Sequence, residues 1–303
     1  MIHKHKYQEL TWVDVESPSR KEIMLLTKEF EIPLVIADEL FGPSARSKVE
    51  LDQNLIYLIL HFPTTRQEEN IKTEQEIDFL IGHNFLITTH YEPNDSLIVF
   101  SKMLKISPDF YRNNMGNHAG FLFFFMIKEL YKHSTFELEN IYKKIKGIEK
   151  KIFEQEEEKM VRTISNVNRE LLDFSQAIRF HSDILKSFES AGRIFFGKDF
   201  EHYLFAITGE YNKVQNLLLG HKELLKELRE TNDSLLAQKS NEIMKILTIV
   251  AFIMMPLTLI TGILGMNMGF LFIEKIADFF VIIILMIIIG GLMFLYFKRR
   301  KWF

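Results

Sequence analysis

Two apolar stretches near the end of the chain limit what it can fold into more than any other feature. Ile243 to Gly265 carries a single charge, Lys245 near its start, and Phe279 to Phe297 carries none. Each is long enough to cross a bilayer as a helix, and Lys245 sits where its stem can reach the interface. Lys298-Arg299-Arg300-Lys301 follows the second stretch at once. Such a cluster stays on the cytoplasmic side. Two spans then place both termini in the cytoplasm and the loop between the spans outside. The N-terminus agrees. Met1-Ile2-His3-Lys4-His5-Lys6 is basic but has no apolar run behind it, so it is not a signal peptide.

The rest of the chain has a soluble character. Charged residues make up 25% of 303 and the formal net charge is -3, which excludes a generally basic nucleic-acid binder. There is no cysteine, hence no disulfide, thiolate metal site or thiol nucleophile. Residues 1–116 read as an α/β domain. Leu10 to Val15 has a strand pattern, and Pro18 stands ahead of a helix from Ser19 to Phe30. Leu55 to Leu60 is a buried-strand run, and Glu76 to His90 reads as a hairpin turning at Gly82-His83-Asn84. Glu92-Pro93-Asn94-Asp95 opens the next helix. No glycine-rich phosphate loop or nucleophile–base pair is visible, so nothing in the sequence points to an enzyme.

Residues 117–198 read as a cytoplasmic helical hairpin. Phe121 to Ile127 is strongly apolar but too short to span a membrane. Gln155-Glu156-Glu157-Glu158 reads as a solvated helix–helix turn, or as an acidic tip that meets metal or a basic partner. Ala191 to Gly197 breaks the pattern and ends the pair.

From Phe200 onward, Leu204, Ile207, Tyr211, Val214, Leu218, His221, Leu225, Leu228, Asn232 and Leu235 recur three and four apart, a heptad seam. His221 in that seam reads as a register or interface residue rather than a metal ligand. A second stripe runs on another face of the same helix. It carries Gly220, Glu223, Glu227, Glu230, Ser234, Ala237 and Asn241, then continues into the first span as Met244, Thr248, Ala251, Met255, Thr258 and Gly262. A solvated charged face aligned with a small-residue packing face gives this pattern. So does the lining of a water-filled path built from several copies, since polar residues in a span face a bundle interior or pore. A helix unbroken to Gly265 would be about 100 Å long. Gly209, Gly220 and Pro256 are its weak points. Two helices cannot enclose a path, so a pore requires a cyclic homo-oligomer.

Several stretches carry a family resemblance: Asn241 to Thr248, Met255-Pro256-Leu257-Thr258, and Gly265-Met266-Asn267 at the outer end of the first of two C-terminal spans. Together they resemble the CorA family of divalent-cation channels. Trp12-Val13-Asp14 with Pro18 and Glu22, Arg46 to Glu50, and Leu86 to His90 are fainter echoes. The resemblance implies a homopentamer in the inner (plasma) membrane, with a cytoplasmic α/β funnel, a stalk helix over 199–242 and a pore helix over 243–265. An external loop over 266–275, a second span over 276–297 and a basic tail over 298–303 complete it. It implies Mg2+ as substrate. Gly265, Met266 and Asn267 would form the outer selectivity ring, and Gly262, Thr258, Met255, Leu247, Met244 and Asn241 would line the pore inward, beside the Ala251 and Thr248 of the stripe. Glu223, Glu227 and Glu230 would concentrate cations in a cytoplasmic vestibule. Mg2+ bound between subunits would hold the channel closed, with Glu210, Asp199 and Asp95 as candidate ligands. The loop Met268 to Lys275 departs from the family's early acidic pattern, with Glu274 alone and Lys275 beside it. Two rivals stand: a Zn2+, Co2+ or Ni2+ transporter on the same scaffold, passive or proton-coupled, and a membrane-anchored scaffold that conducts nothing.

Overall fold

The computed structural model describes residues 2–7, 9–44, 46–64, 74–106, 116–265 and 276–300. It divides into two compact units, residues 1–229 and 230–303.

The first unit is built on one six-stranded sheet. Strands β1 (Ile2–Tyr7), β2 (Leu10–Glu16), β3 (Lys48–Leu51), β4 (Ile56–Pro63), β5 (Glu74–Ile81) and β6 (Phe85–His90) lie in the order β1-β2-β6-β5-β4-β3. Only β2 and β6 pair in parallel. The hairpin expected over Glu76 to His90 is β5–β6. On one face lie α1 (Arg20–Phe30) and α2 (Leu34–Glu39). Helix α1 starts where the sequence places it because Ser19 and Glu22 form a reciprocal capping box. Val13, Val15, Ile23, Leu26, Ile36, Leu40, Tyr57, Ile59, Leu80 and Ile87 form the core of this face.

The other face is covered by α3 (Asp95–Ile106), α4 (Ala119–Phe153), α5 (Glu157–Ala177) and α6 (His181–Phe196). Ring contacts join the layers: Trp12 to Phe100, Phe79 to Phe123, and Phe123 to Phe188. Three helices therefore occupy the segment read as a helical pair. Gln155, with φ of 67°, turns α4 into α5, and Glu157 in the acidic run is buried rather than solvated. Ala191 and Gly192 stay helical. Gly192 is there for close packing: a Cβ on it would stand 2.9 Å from Leu204 Cδ2. The break comes at Gly197, with φ of 85°.

Beyond a short 3-10 turn, Lys198–Phe200, helix α7 runs from Glu201 to Gly265, 65 residues, through Gly209, Gly220 and Pro256. Its seam is buried at Leu204, Ile207, Tyr211, Val214, Leu218, Leu225 and Leu228. His221 stacks on Tyr142 of α4 at 5.2 Å, an interface role as the heptad pattern suggests.

Polar residues tie β4 and β5 to the loop that precedes β3. His61 Nε2 lies 3.3 Å from Glu76 Oε2, and Glu76 accepts the backbone N–H of Ser44. Burial disfavours the His61 imidazolium, but the hydrogen bond and charge of Glu76 outweigh it and raise its pKa above the ordinary value. Burial and then the neighbouring Glu76 push the Asp78 carboxyl well up. Both groups hold their proton more tightly when folded. Their stabilising contribution is therefore full at low pH, below about 6.5 for the histidine, and is lost as pH rises through the raised values. Comparison with Glu76→Gln isolates this part, because histidines that burial keeps neutral, such as His181, act in the opposite sense. The melting temperature of wild type minus that of Glu76→Gln is expected to shrink from about pH 6 to about pH 8, and a difference that grows over that interval contradicts this account.

The second unit contains the rest of α7 and α8 (Ile276–Arg299). Along the apolar end of α7, from Ile243 to Gly265, the least exposed residues are Ile249, Ile253, Pro256, Leu257 and Ile260. On α8 they are Ile282, Met286, Ile289, Gly290, Met293 and Phe297. Both sets follow the helical period, and a Cβ on Gly290 would meet Leu257 at 3.6 Å. These are the faces the two helices turn to each other. Nearly everything else is open apolar surface, such as Phe252, Leu259, Ile284, Ile288 and Leu295. A contiguous apolar surface of this size needs lipid or further copies to cover it.

Candidate ion pathway on the long helix

The stripe Asn241, Met244, Thr248, Ala251, Met255, Thr258 and Gly262 lies on the face of α7 turned away from α8. At 100° per residue its centre stands roughly 155° round the helix from the α8-packed face. Every one of these residues, and Leu247 beside them, is exposed in the single chain. Met255 is 73% exposed, the most open of the large apolar residues on this helix.

The threonines are prepared for one role. Thr248 Oγ1 donates to the carbonyl of Met244 at 2.8 Å, and Thr258 Oγ1 to that of Met254 at 2.9 Å. Each hydroxyl hydrogen is used within the helix, so each oxygen keeps lone pairs that can accept from a hydrated cation. Pro256 has no N–H to give, which leaves the carbonyl one turn earlier without its helical donor.

On the soluble part of α7, Glu223, Glu227 and Glu230 are all exposed, off the buried seam. Ser234, Ala237, Gln238, Asn241, Glu242 and Lys245 line a shallow groove on the helix, where Gln238 Nε2 donates to Glu242 Oε1 at 3.4 Å. Gln238 and Glu242 were not singled out from sequence. Their four-residue spacing next to Asn241 is the signal that could have found them.

Gly265 ends α7, whereas Met266 and Asn267 lie outside the described residues. The candidate regulatory ligands occupy separate elements. Glu210 pairs with Lys213 at 2.9 Å, Asp199 lies in the 3-10 turn, and Asp95 in the first turn of α3. Among the described residues no three His, Asp or Glu side chains group to hold a metal.

Helices α7 and α8 are each long and apolar enough to cross a membrane. A family model described as "CorA-like Mg2+ transporter protein" matches residues 7–299. "Cobalt/magnesium transport protein CorA" of Thermotoga maritima is 23% identical over 296 residues, covering 96% of this chain and 83% of that protein. The protein of the same name from Methanocaldococcus jannaschii is 24% identical over 297 residues, covering 97% and 91%. The complete structure of the CorA magnesium transporter from Methanocaldococcus jannaschii superposes with a TM-score of 0.82 at 20% identity, covering 99% of this chain and 93% of that one. At that identity the superposition shows a shared fold, and the family match over nearly the whole chain shows membership. This two-span membrane chain belongs to the CorA-like Mg2+ transporter family.

Proposed function

We propose that the chain is the subunit of a cyclic homopentamer that passes Mg2+ across the inner (plasma) membrane through a pore lined by α7. Members of the family are transporters, not enzymes. The observation that carries the reading is the placement of the polar and small stripe on the face of α7 that α8 leaves uncovered. An anchor has no use for threonines and an asparagine there. Copies arranged about an axis would turn this face inward and α8 toward lipid.

Mg2+ gives up its waters reluctantly. A ring of Asn267 amide oxygens suits capture of the hydrated ion, and the acceptor oxygens of Thr258 and Thr248 suit its passage. Met255, Leu247 and Met244 would form apolar rings that stop flow by dewetting. Glu223, Glu227 and Glu230 would gather cations at the cytoplasmic end. Intracellular Mg2+ would close the channel by bridging acidic groups of neighbouring copies, Glu210, Asp199 and Asp95 being the candidates. The basic residues after α8 favour cytoplasmic termini.

The relatives' names join cobalt to magnesium, which places Co2+, with Zn2+ and Ni2+, in the same test. In proteoliposomes, Mg2+ entry should follow an imposed potential and disappear in Asn267→Ala. Movement of Zn2+ that needs a pH gradient would transfer the protein to a coupled transporter. Absence of flux for every ion in a correctly assembled oligomer would sink the pathway altogether.

A further inference from the structure

Strand β1 is an edge strand in which histidine and lysine alternate: His3, Lys4, His5, Lys6. Lys4 turns to the α1 face and bonds Glu29. The histidines are on the opposite face by the two-residue period. There His3 stands directly across from Asp14 in the register, and His5 across from Trp12, on whose indole it stacks at 4.8 Å. Lysines alone would protect the edge from pairing with another chain. They give no reason for two imidazoles beside a carboxylate.

Asp14 is held in a way that a metal ligand needs. Its Oδ1 accepts from Thr88 Oγ1 at 2.6 Å and lies 3.4 Å from His90 Nε2. Thr88 Oγ1 in turn accepts from Trp12 Nε1 at 3.0 Å. Among the described residues Oδ2 accepts nothing. A carboxylate oriented through one oxygen and open at the other is the arrangement that outer-shell bonds give to a metal-binding residue.

We infer that His3, His5 and Asp14 form a binding site for a divalent transition-metal ion, Zn2+, Co2+ or Ni2+, separate from the pathway in the membrane. Imidazole suits these ions and not Mg2+, which demands oxygen ligands. Directly opposed side chains on one face stand roughly 4.5–5.5 Å apart at Cβ and diagonal ones about 7–8 Å. Bonds of about 2 Å from each group can close on one ion at those separations, with water completing a tetrahedron. The side chains are not yet converged as they stand, consistent with the absence of a three-residue group among the described residues. Closing the site needs rotation of His3 and His5 about their side-chain bonds. Lys105 opposes a cation there and the Asp14 charge offsets it.

Trp12 provides the readout. The chain has two tryptophans, Trp12 and Trp302, so Trp302→Phe leaves Trp12 as sole emitter. Co2+ or Ni2+ at His5 would sit against its indole and quench it. Full-length metal-stripped Trp302→Phe protein in detergent is titrated with Co2+. Expected are saturable quenching, reversal by Zn2+, no competition from millimolar Mg2+, and a midpoint weakened about tenfold or more by His3→Ala. His3 is exposed, so that variant should keep the fold, which circular dichroism checks. Quenching that does not saturate, an unchanged midpoint in His3→Ala, or displacement by Mg2+ would each overturn the site.

Discussion

Mg2+ entry into proteoliposomes should rise by about an order of magnitude or more when Met244 and Leu247 are both replaced by serine and the cytoplasmic face is loaded with Mg2+. Both residues lie on the uncovered side of α7, 62% and 59% exposed in the single chain. Brought together from several copies they would form two adjacent apolar rings. Water leaves a narrow apolar constriction, and an ion that keeps its hydration shell cannot cross the dry gap. Serine is smaller and polar, so it both widens the gap and wets it. Met255 remains as a third apolar ring between the acceptor threonines, so flux rises without becoming unrestricted. The control is Ile288→Ser on the exposed face of α8, which should leave flux near wild type. A double variant that assembles normally and shows no added flux would remove the hydrophobic gate. An equal rise in Ile288→Ser would mean general leakage of the bilayer.

The faces of α7 were legible because a helix repeats its pattern every three or four residues, and that period holds from Leu204 to Gly262. The buried seam and the exposed stripe both lie where the pattern puts them. Sequence could not say which face α8 covers, since Ile249, Ile253 and Leu257 look no different from Phe252 or Leu259. Strand β1 was missed because His and Lys alternate where apolar residues mark a typical strand. Its pairing is fixed by β2, not by its own composition. The break expected over Ala191 to Gly197 falls at its end, Gly197, while Ala191 and Gly192 stay helical even though glycine lowers helix propensity. The close approach of Leu204 is a contact made from another helix, which the local pattern does not contain. Buried polar groups were the least visible, because their partners lie far apart in the chain. His181 bonds residues 50 and 120 positions away.

That histidine carries the second large effect. His181→Ala should destabilise the cytoplasmic unit by roughly 3–5 kcal/mol. The side chain is wholly buried. Its Nε2 lies 2.9 Å from the carbonyl oxygen of His61, which can only accept, so Nε2 carries the hydrogen. Burial pushes the pKa down to about 3, so the ring is neutral and Nδ1 accepts the Tyr131 hydroxyl at 2.9 Å. One ring thus joins β4, α4 and α6, and it also touches Tyr211 of α7 at 6.0 Å between centroids. Alanine leaves a buried hydroxyl and a buried carbonyl without partners, and an empty space among Phe62, Tyr131 and Tyr211. Each unpartnered group costs about 1–3 kcal/mol and the cavity adds to it. Tyr131→Phe removes one bond only and should cost about 1 kcal/mol. His181→Gln can donate to the carbonyl and accept from the tyrosine, so it should recover part of the loss. Urea or thermal unfolding of the full chain in detergent, followed by tyrosine and tryptophan emission, orders the three variants. If His181→Gln is as damaging as alanine while Tyr131→Phe is silent, the ring acts by filling space and the two hydrogen bonds are not what joins the sheet to the helices.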